Sequence, residues 1–294
     1  MLHENEEWAY SSDAVVAHLT KMGGSPNSPT VVVEGADGRF WSRYVTKGVK
    51  ILPAKGKKAV REGIRGALEE RPELMGSKVG IYDEDYEQLF TADPIEHPNL
   101  FSTKKISDLE SLLIGAWMKS SQPMIIRYKI PITKQLVREV VKICRSIGVL
   151  RALNMAKSWK LKFKEGDNPR NIQSWLRQCV VSHKTEKDWV EKILIDRVVN
   201  NSKAKSKKKL KKSIHDFYRS EVNNFRELDD YSLTNGHDIC KVLELLTGGE
   251  ASANDIERYL LFDFDVIDCK DEFEIFNRLD EWSSKNKVNL LRWH

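Results

Sequence analysis

Apolar positions in the first hundred residues fall into short runs that end in acids. Thr30, Val31, Val32 and Val33 are followed at once by Glu34 and Gly35. Three β-branched residues in succession predict a strand buried on both faces, as in a parallel sheet. Gly35 permits a tight turn, and residues 37–45 then carry helical apolar spacing. A second strand is predicted at 49–52, a helix at 57–70, and a third strand at 78–82 that runs into Asp83, Glu84 and Asp85. Upstream, residues 11–24 predict a short amphipathic helix, broken by Gly23, Gly24, Pro26 and Pro29. Downstream, a polar loop through Asp93, Pro94 and Pro98 leads to a fourth strand at 99–103 and a helix at 106–119. The alternation of strand and helix predicts an α/β fold of the Rossmann-like kind, with helices on both faces of a parallel sheet.

From Thr133 the pattern turns helical. Helices are predicted at 135–153, 168–179, 185–200 and 214–228, then a turn over 231–238, a helix at 239–246, and two more helices with an apolar tail before the end. The expected division is an α/β domain over 1–130 and a mostly helical region over 131–294. Trp159, Trp175, Trp189 and Trp282 fall at helical spacings and read as core.

Composition narrows the class. The chain has 294 residues, 40% of them hydrophobic, which is enough for a sizeable core. Cys144, Cys179, Cys240 and Cys269 are far apart, without the spacing of a zinc site or a disulfide framework. The N-terminus lacks the basic and apolar regions of a signal peptide, and no window approaches the roughly 20 apolar residues that cross a bilayer. The expectation is a soluble, cytoplasmic protein with no membrane association. The net charge of +5 is uneven, with a strongly basic stretch over 134–212 that suggests an anionic partner. Lys203, Lys205, Lys207, Lys208, Lys209, Lys211 and Lys212 crowd into 202–212, read as a solvated or disordered segment that could collect phosphates without reading sequence.

The chemistry is expected at the acids, because ligands of open α/β sheets bind beyond the carboxyl ends of the strands. Alternate residues of an extended chain share a side, so Asp83 and Asp85 are predicted to face one metal ion together, with Glu84 turned away. Glu34 on the neighbouring strand and Glu110 from the first turn of the next helix can complete an oxygen-ligand set suited to Mg2+ or Mn2+. Arg39, Lys55 and Lys57 lie near the strand tips and are candidate phosphate contacts, beside the plain reading as solvated helix starts. Asp37 also reads as a helix start, and Asp108 as a complement to the helix dipole. His237 is a possible proton carrier or substrate contact, with Asp238 as the N-cap of the helix that follows.

Val-Val-Val-Glu-Gly, followed by Val-Gly-Ile-Tyr-Asp-Glu-Asp, resembles the Toprim domain of topoisomerases, bacterial primases and overcoming-lysogenization-defect (OLD) nucleases. The resemblance covers roughly residues 30–125. It implies that Glu34 is a general base or metal ligand and that Asp83 and Asp85 are metal ligands. Residues 34–41 (Glu-Gly-Ala-Asp-Gly-Arg-Phe-Trp), 106–113 (Ile-Ser-Asp-Leu-Glu-Ser-Leu-Leu) and 235–238 (Asn-Gly-His-Asp) are similar to a stand-alone branch of that superfamily. These are the AriB-like effectors of the PARIS phage anti-defence system. That likeness implies an effector held inactive by an ABC-type ATPase partner (AriA-like) and released to dimerise and cleave host transfer RNA. A DNA endonuclease of the OLD kind is the nearest alternative. A non-catalytic docking subunit is the alternative of another class. A nucleotide-sugar transferase would use Asp83-Glu84-Asp85 but leave Glu34 without a role.

Overall fold

The computed structural model describes residues 9–22, 27–90, 97–104, 106–126, 130–161, 163, 193–202, 206–221, 225 and 228–293. Strands β1 (Thr30–Glu34), β2 (Lys50–Ala54), β3 (Lys78–Tyr82) and β4 (Leu100–Ser102) form one parallel sheet in the order β2-β1-β3-β4. Val33 lies beside Pro53 on one side and Ile81 on the other.

Alternation along the strands divides the core between two faces. Val32, Leu52 and Leu100 pack with Val60, Ile64 and Leu68 of helix α3 (Gly56–Glu70), and with Val15 of α1 (Ser12–Ala17). Val31, Val33, Val79, Ile81 and Phe101 join the opposite layer, with Phe40 and Trp41 of α2 (Gly38–Tyr44) and Leu112 and Trp117 of α4 (Leu109–Lys119). Helices therefore cover both faces, the expected α/β arrangement. Gly80 admits a close approach of α3 to the sheet, since a Cβ there would stand 2.8 Å from both Val60 and Leu100.

Beyond the sheet lie a hairpin of β5 (Met124–Ile126) and β6 (Ile130–Ile132) and the long helix α5 (Lys134–Lys157). Helices α6 (Ile195–Asn200), α7 (Lys207–Glu221), α8 (Gly236–Leu246), α9 (Ala253–Arg258) and α10 (Glu274–Asn286) follow. Their apolar sides, including Ile147, Ile214, Leu243 and Phe276, continue the α2–α4 layer as one core. Trp282 is buried in it and Trp159 packs partly buried against it, as expected of both. Trp175, Trp189 and the predicted helix at 168–179 lie outside the described residues, as does the first half of the one at 185–200.

The lysine-rich segment departs from expectation. From Lys207 it is helical rather than a solvated loop, because Leu210, Ile214 and Tyr218 recur at helical spacing and bury one stripe. Beside that stripe Lys211 pairs with Asp196 and Lys207 Nζ donates to the Asn200 carbonyl at 2.7 Å, both toward α6, whereas Lys208, Lys209 and Lys212 are exposed. Lys203 and Lys205 lie outside the described residues. Among the described residues, no helix is long and apolar enough to cross a membrane.

One buried charge has a measurable consequence. Lys78 is fully buried at the start of β3, where its ammonium donates to the Ser28 carbonyl. Desolvation, with Lys50 and Arg71 nearby, lowers its pKa to about 8. The unfolded chain therefore binds a proton at higher pH than the native one. This group's contribution to stability is complete above about pH 10.5, is lost as pH falls toward 8, and is constant below. Lys78→Met should raise stability at pH 7 by about 1–3 kcal/mol and flatten the pH 8–10 limb, read by urea denaturation across that range.

Candidate active site at the sheet's carboxyl edge

Strand order places a switch point between β1 and β3, since the chain leaves β1 toward β2 on one side and β3 toward β4 on the other. Crevices at such points hold the ligands of open α/β sheets. Glu34 ends β1, and its Oε1 accepts the backbone N–H of Asp83 at 2.8 Å, just past the end of β3. Gly56, at φ +75°, turns the chain from β2 into α3 beside this carboxylate, where a Cβ would stand 4.0 Å from Glu34 Oε2. The Lys57 N–H in that first helical turn also supports the carboxylate. Burial outweighs these donors, and the Glu34 pKa is pushed up to about 7.

Asp85 does not share a side with Asp83 in the way an extended segment predicts. Its backbone is left-handed, at φ +54°, which breaks the alternation, and its N–H donates to the Ser107 carbonyl at 2.7 Å. The Asp85 carboxylate meets Lys57 Nζ at 2.6 Å, and its charge still reaches Glu34. Lys57 also pairs with Glu87 at 3.0 Å, and Glu87 with Arg61, so Lys57 is engaged with carboxylates rather than open to a phosphate. Lys55 is exposed and Arg39 half-buried. Glu84 is buried, and its N–H donates to Thr103 Oγ1 at 3.1 Å.

Three further acids complete the cluster. Asp37 starts α2 without any capping hydrogen bond. Asp108 caps α4 by accepting the Ser111 N–H at 2.8 Å, and also accepts the Gly236 N–H and, at 2.7 Å, Asn235 Nδ2 at the start of α8. Glu110 is buried in the first turn of α4, against Gly236, where a Cβ would lie 2.3 Å from that of Glu110. Desolvation and mutual repulsion hold Asp37 and Asp83 well above the usual carboxylate range and raise Asp108 to about 6. Sequence reading gave Asp37 and Asp108 only the roles of helix starts. The signal available was their position, each opening a helix just after a strand of the same sheet.

His237 stands among these acids, with Nδ1 2.8 Å from Glu257 and Nε2 3.9 Å from Glu110. Glu110 first, then the bond to Glu257, raise its pKa to about 10 against the opposing effect of burial. The cap of α8 is Asn235, not Asp238, because Asn235 Oδ1 accepts the Asp238 N–H. Asp238 is instead buried and paired with Arg151 at 2.9 Å. Asp108→Ala removes the cap of α4 and the acceptor for Asn235 Nδ2 and the Gly236 N–H at the start of α8, and the variant should unfold about 2–3 kcal/mol more easily in chemical denaturation, with Asp108→Asn less affected.

Among the described residues, no three His, Cys, Asp or Glu side chains stand close enough to hold one metal ion as placed. The donor chemistry nonetheless fits a hard divalent cation, since the converging groups are carboxylates whose mutual repulsion such an ion would relieve. No family model, curated protein or solved structure matches this chain.

Proposed function

We propose that this protein is a metal-dependent endonuclease of the Toprim type acting on RNA. The observation that carries the reading is the set of acids at the switch point, with Glu34 and Asp83 side by side on adjacent strands and Asp37, Asp108 and Glu110 around them. A pure scaffold gains nothing from carboxylates that raise one another's pKa. Asp83, Asp37 and Glu110 are the residues that would hold Mg2+ or Mn2+, with Asp85 joining them once released from Lys57. When bound, the ion would neutralise the phosphodiester and stabilise its leaving oxygen.

The chain's own groups supply the rest. Glu34, with a pKa near neutrality, accepts the proton of the attacking water. Asp108 ties the start of α4 to the start of α8, which fixes Glu110 and His237 relative to each other. The exposed lysines of α7, Lys208, Lys209 and Lys212, hold the nucleic-acid backbone by charge rather than reading bases. Transfer RNA as the substrate, an ABC-type ATPase as the restraining partner and an active homodimer follow from the likeness of the sequence motifs to the AriB-like effectors.

The cation is tested without turnover. Titrating Mg2+ or Mn2+ into the purified protein should raise its melting temperature, and Asp83→Asn should lose most of that shift. A melting temperature indifferent to both ions would remove the metal from the reading.

A further inference from the structure

The amino ends of the strands, opposite the acids, carry a concentration of positive charge. Lys50, Thr30 and Lys78 open β2, β1 and β3, and the register sets them side by side in one row. Alternation turns all three toward the face that holds Val32, Leu52 and Leu100. Lys78 is fully buried there, its ammonium donating to the Ser28 carbonyl, and Thr30 Oγ1 donates to the same carbonyl at 3.4 Å. The side-chain charges that bear on Lys78 are those of Lys50 and Arg71, both positive. An ammonium buried among like charges is costly, and a bound anion would offset that cost.

Along the edge of the sheet, beside this row, lies a pocket of about 420 Å³, within the size range of small-molecule sites. Thr30 and Lys50 line it together with Tyr10, His18, Leu52 and Pro53. The rings of Tyr10 and His18 stand 5.6 Å apart, tilted. Tyr10 is fixed by its backbone, donating to the Pro53 carbonyl at 3.0 Å and accepting the Lys55 N–H at 2.8 Å. The Lys50 N–H points inward, to the Pro29 carbonyl at 3.0 Å, so alternation turns the N–H and C=O of Ile51, another lining residue, outward at the sheet's edge.

The pocket thus offers cations, aromatic faces, and one backbone donor beside one acceptor. Cations alone would suit any small anion, and the walls alone any apolar body. Together they suit a phosphorylated purine, whose adenine form carries an acceptor and a donor side by side at N1 and N6. We propose that this pocket binds a purine nucleoside monophosphate, its base against Tyr10 and His18 with its polar edge on the Ile51 backbone, and its phosphate on Lys50 with the charge of Lys78 behind. The inference is independent of the endonuclease reading, because the pocket and the acids lie at opposite ends of the same strands.

The test is calorimetry of AMP with the full chain at pH 7 and low salt, without divalent cations, so that the acid cluster repels the ligand. AMP should bind, and adenosine and inorganic phosphate should each bind about tenfold or more weakly, since each lacks one half of the contacts. Lys50→Gln, at an exposed position, should weaken AMP about tenfold and leave adenosine within about twofold. The His18 ring resonance in NMR, assigned by its loss from His18→Gln, should move on addition of AMP to the wild type. Absence of AMP binding, an unmoved His18 resonance, or AMP affinity unchanged in Lys50→Gln overturns the proposal. Inorganic phosphate binding as tightly as AMP reduces the pocket to a plain anion site and overturns it as well. The dinucleotide ApA probes the other source of this chemistry, an RNA strand. It should bind more weakly than AMP, and tighter binding assigns the pocket to RNA instead.

Discussion

Glu34→Gln should lose metal-dependent cleavage by about a thousandfold while the protein stays folded and binds nucleic acid as before. The size follows from the role: a positioned general base contributes roughly 10²–10⁴ in rate. Glu34 is suited to it by burial, which lifts its pKa to about 7 in spite of the backbone donors of Asp83 and Lys57. Gln keeps an oxygen to accept the Asp83 N–H, which stands 2.8 Å away, but cannot take up a proton. The fold should survive because the substitution removes a desolvated charge from a repulsive cluster. Circular dichroism and filter binding beside the cleavage assay separate the outcomes. A variant that still cuts would move the base elsewhere, and one that unfolds would make Glu34 a structural residue first.

Gly148→Ala should be the most damaging small substitution in the helical region. A Cβ at this position of α5 would lie 1.3 Å from the Leu233 carbonyl oxygen and 2.5 Å from its carbon, so backbone must move to make room. Overpacking of side chains costs about 1–3 kcal/mol, and a backbone collision belongs at or above the top of that range. The displaced segment is the one that leads into Asn235 and His237. It is held by Ser107 and Ser111, both of which donate to the Thr234 carbonyl. The expected melting temperature is lower by about 5 °C or more, with weakened nucleic-acid binding as the site loses α8. An unchanged melting curve would show that α5 does not pack against Leu233.

The sheet was legible because its strands carry their own signal. Val31 to Val33 are β-branched and buried on both faces, and β1 and β3 run over 30–34 and 78–82 as the apolar runs predicted. The acids at the strand tips followed from the same runs. Features set by tertiary contact were not legible. Nothing local marks Asp85 as left-handed, yet that one φ sends its carboxylate to Lys57. Asp108 reads as an ordinary helix start, and its second partner, the Gly236 N–H, lies 128 residues away. The lysine run hid a helix because like charges dominated the composition, whereas the spacing of Leu210, Ile214 and Tyr218 set the structure. Strands β5 and β6 are three residues each, too short for alternation to declare them.

The central claim is that the acids at the sheet's carboxyl edge cut RNA. Its most direct test incubates the purified protein with Mg2+ or Mn2+ and either total transfer RNA or supercoiled plasmid, beside Glu34→Gln. The account predicts discrete transfer RNA fragments that need the metal, vanish with chelation and vanish in the variant, while the plasmid stays supercoiled. Plasmid nicking with intact transfer RNA would contradict the RNA assignment, and wild-type protein that leaves both intact would contradict the nuclease itself.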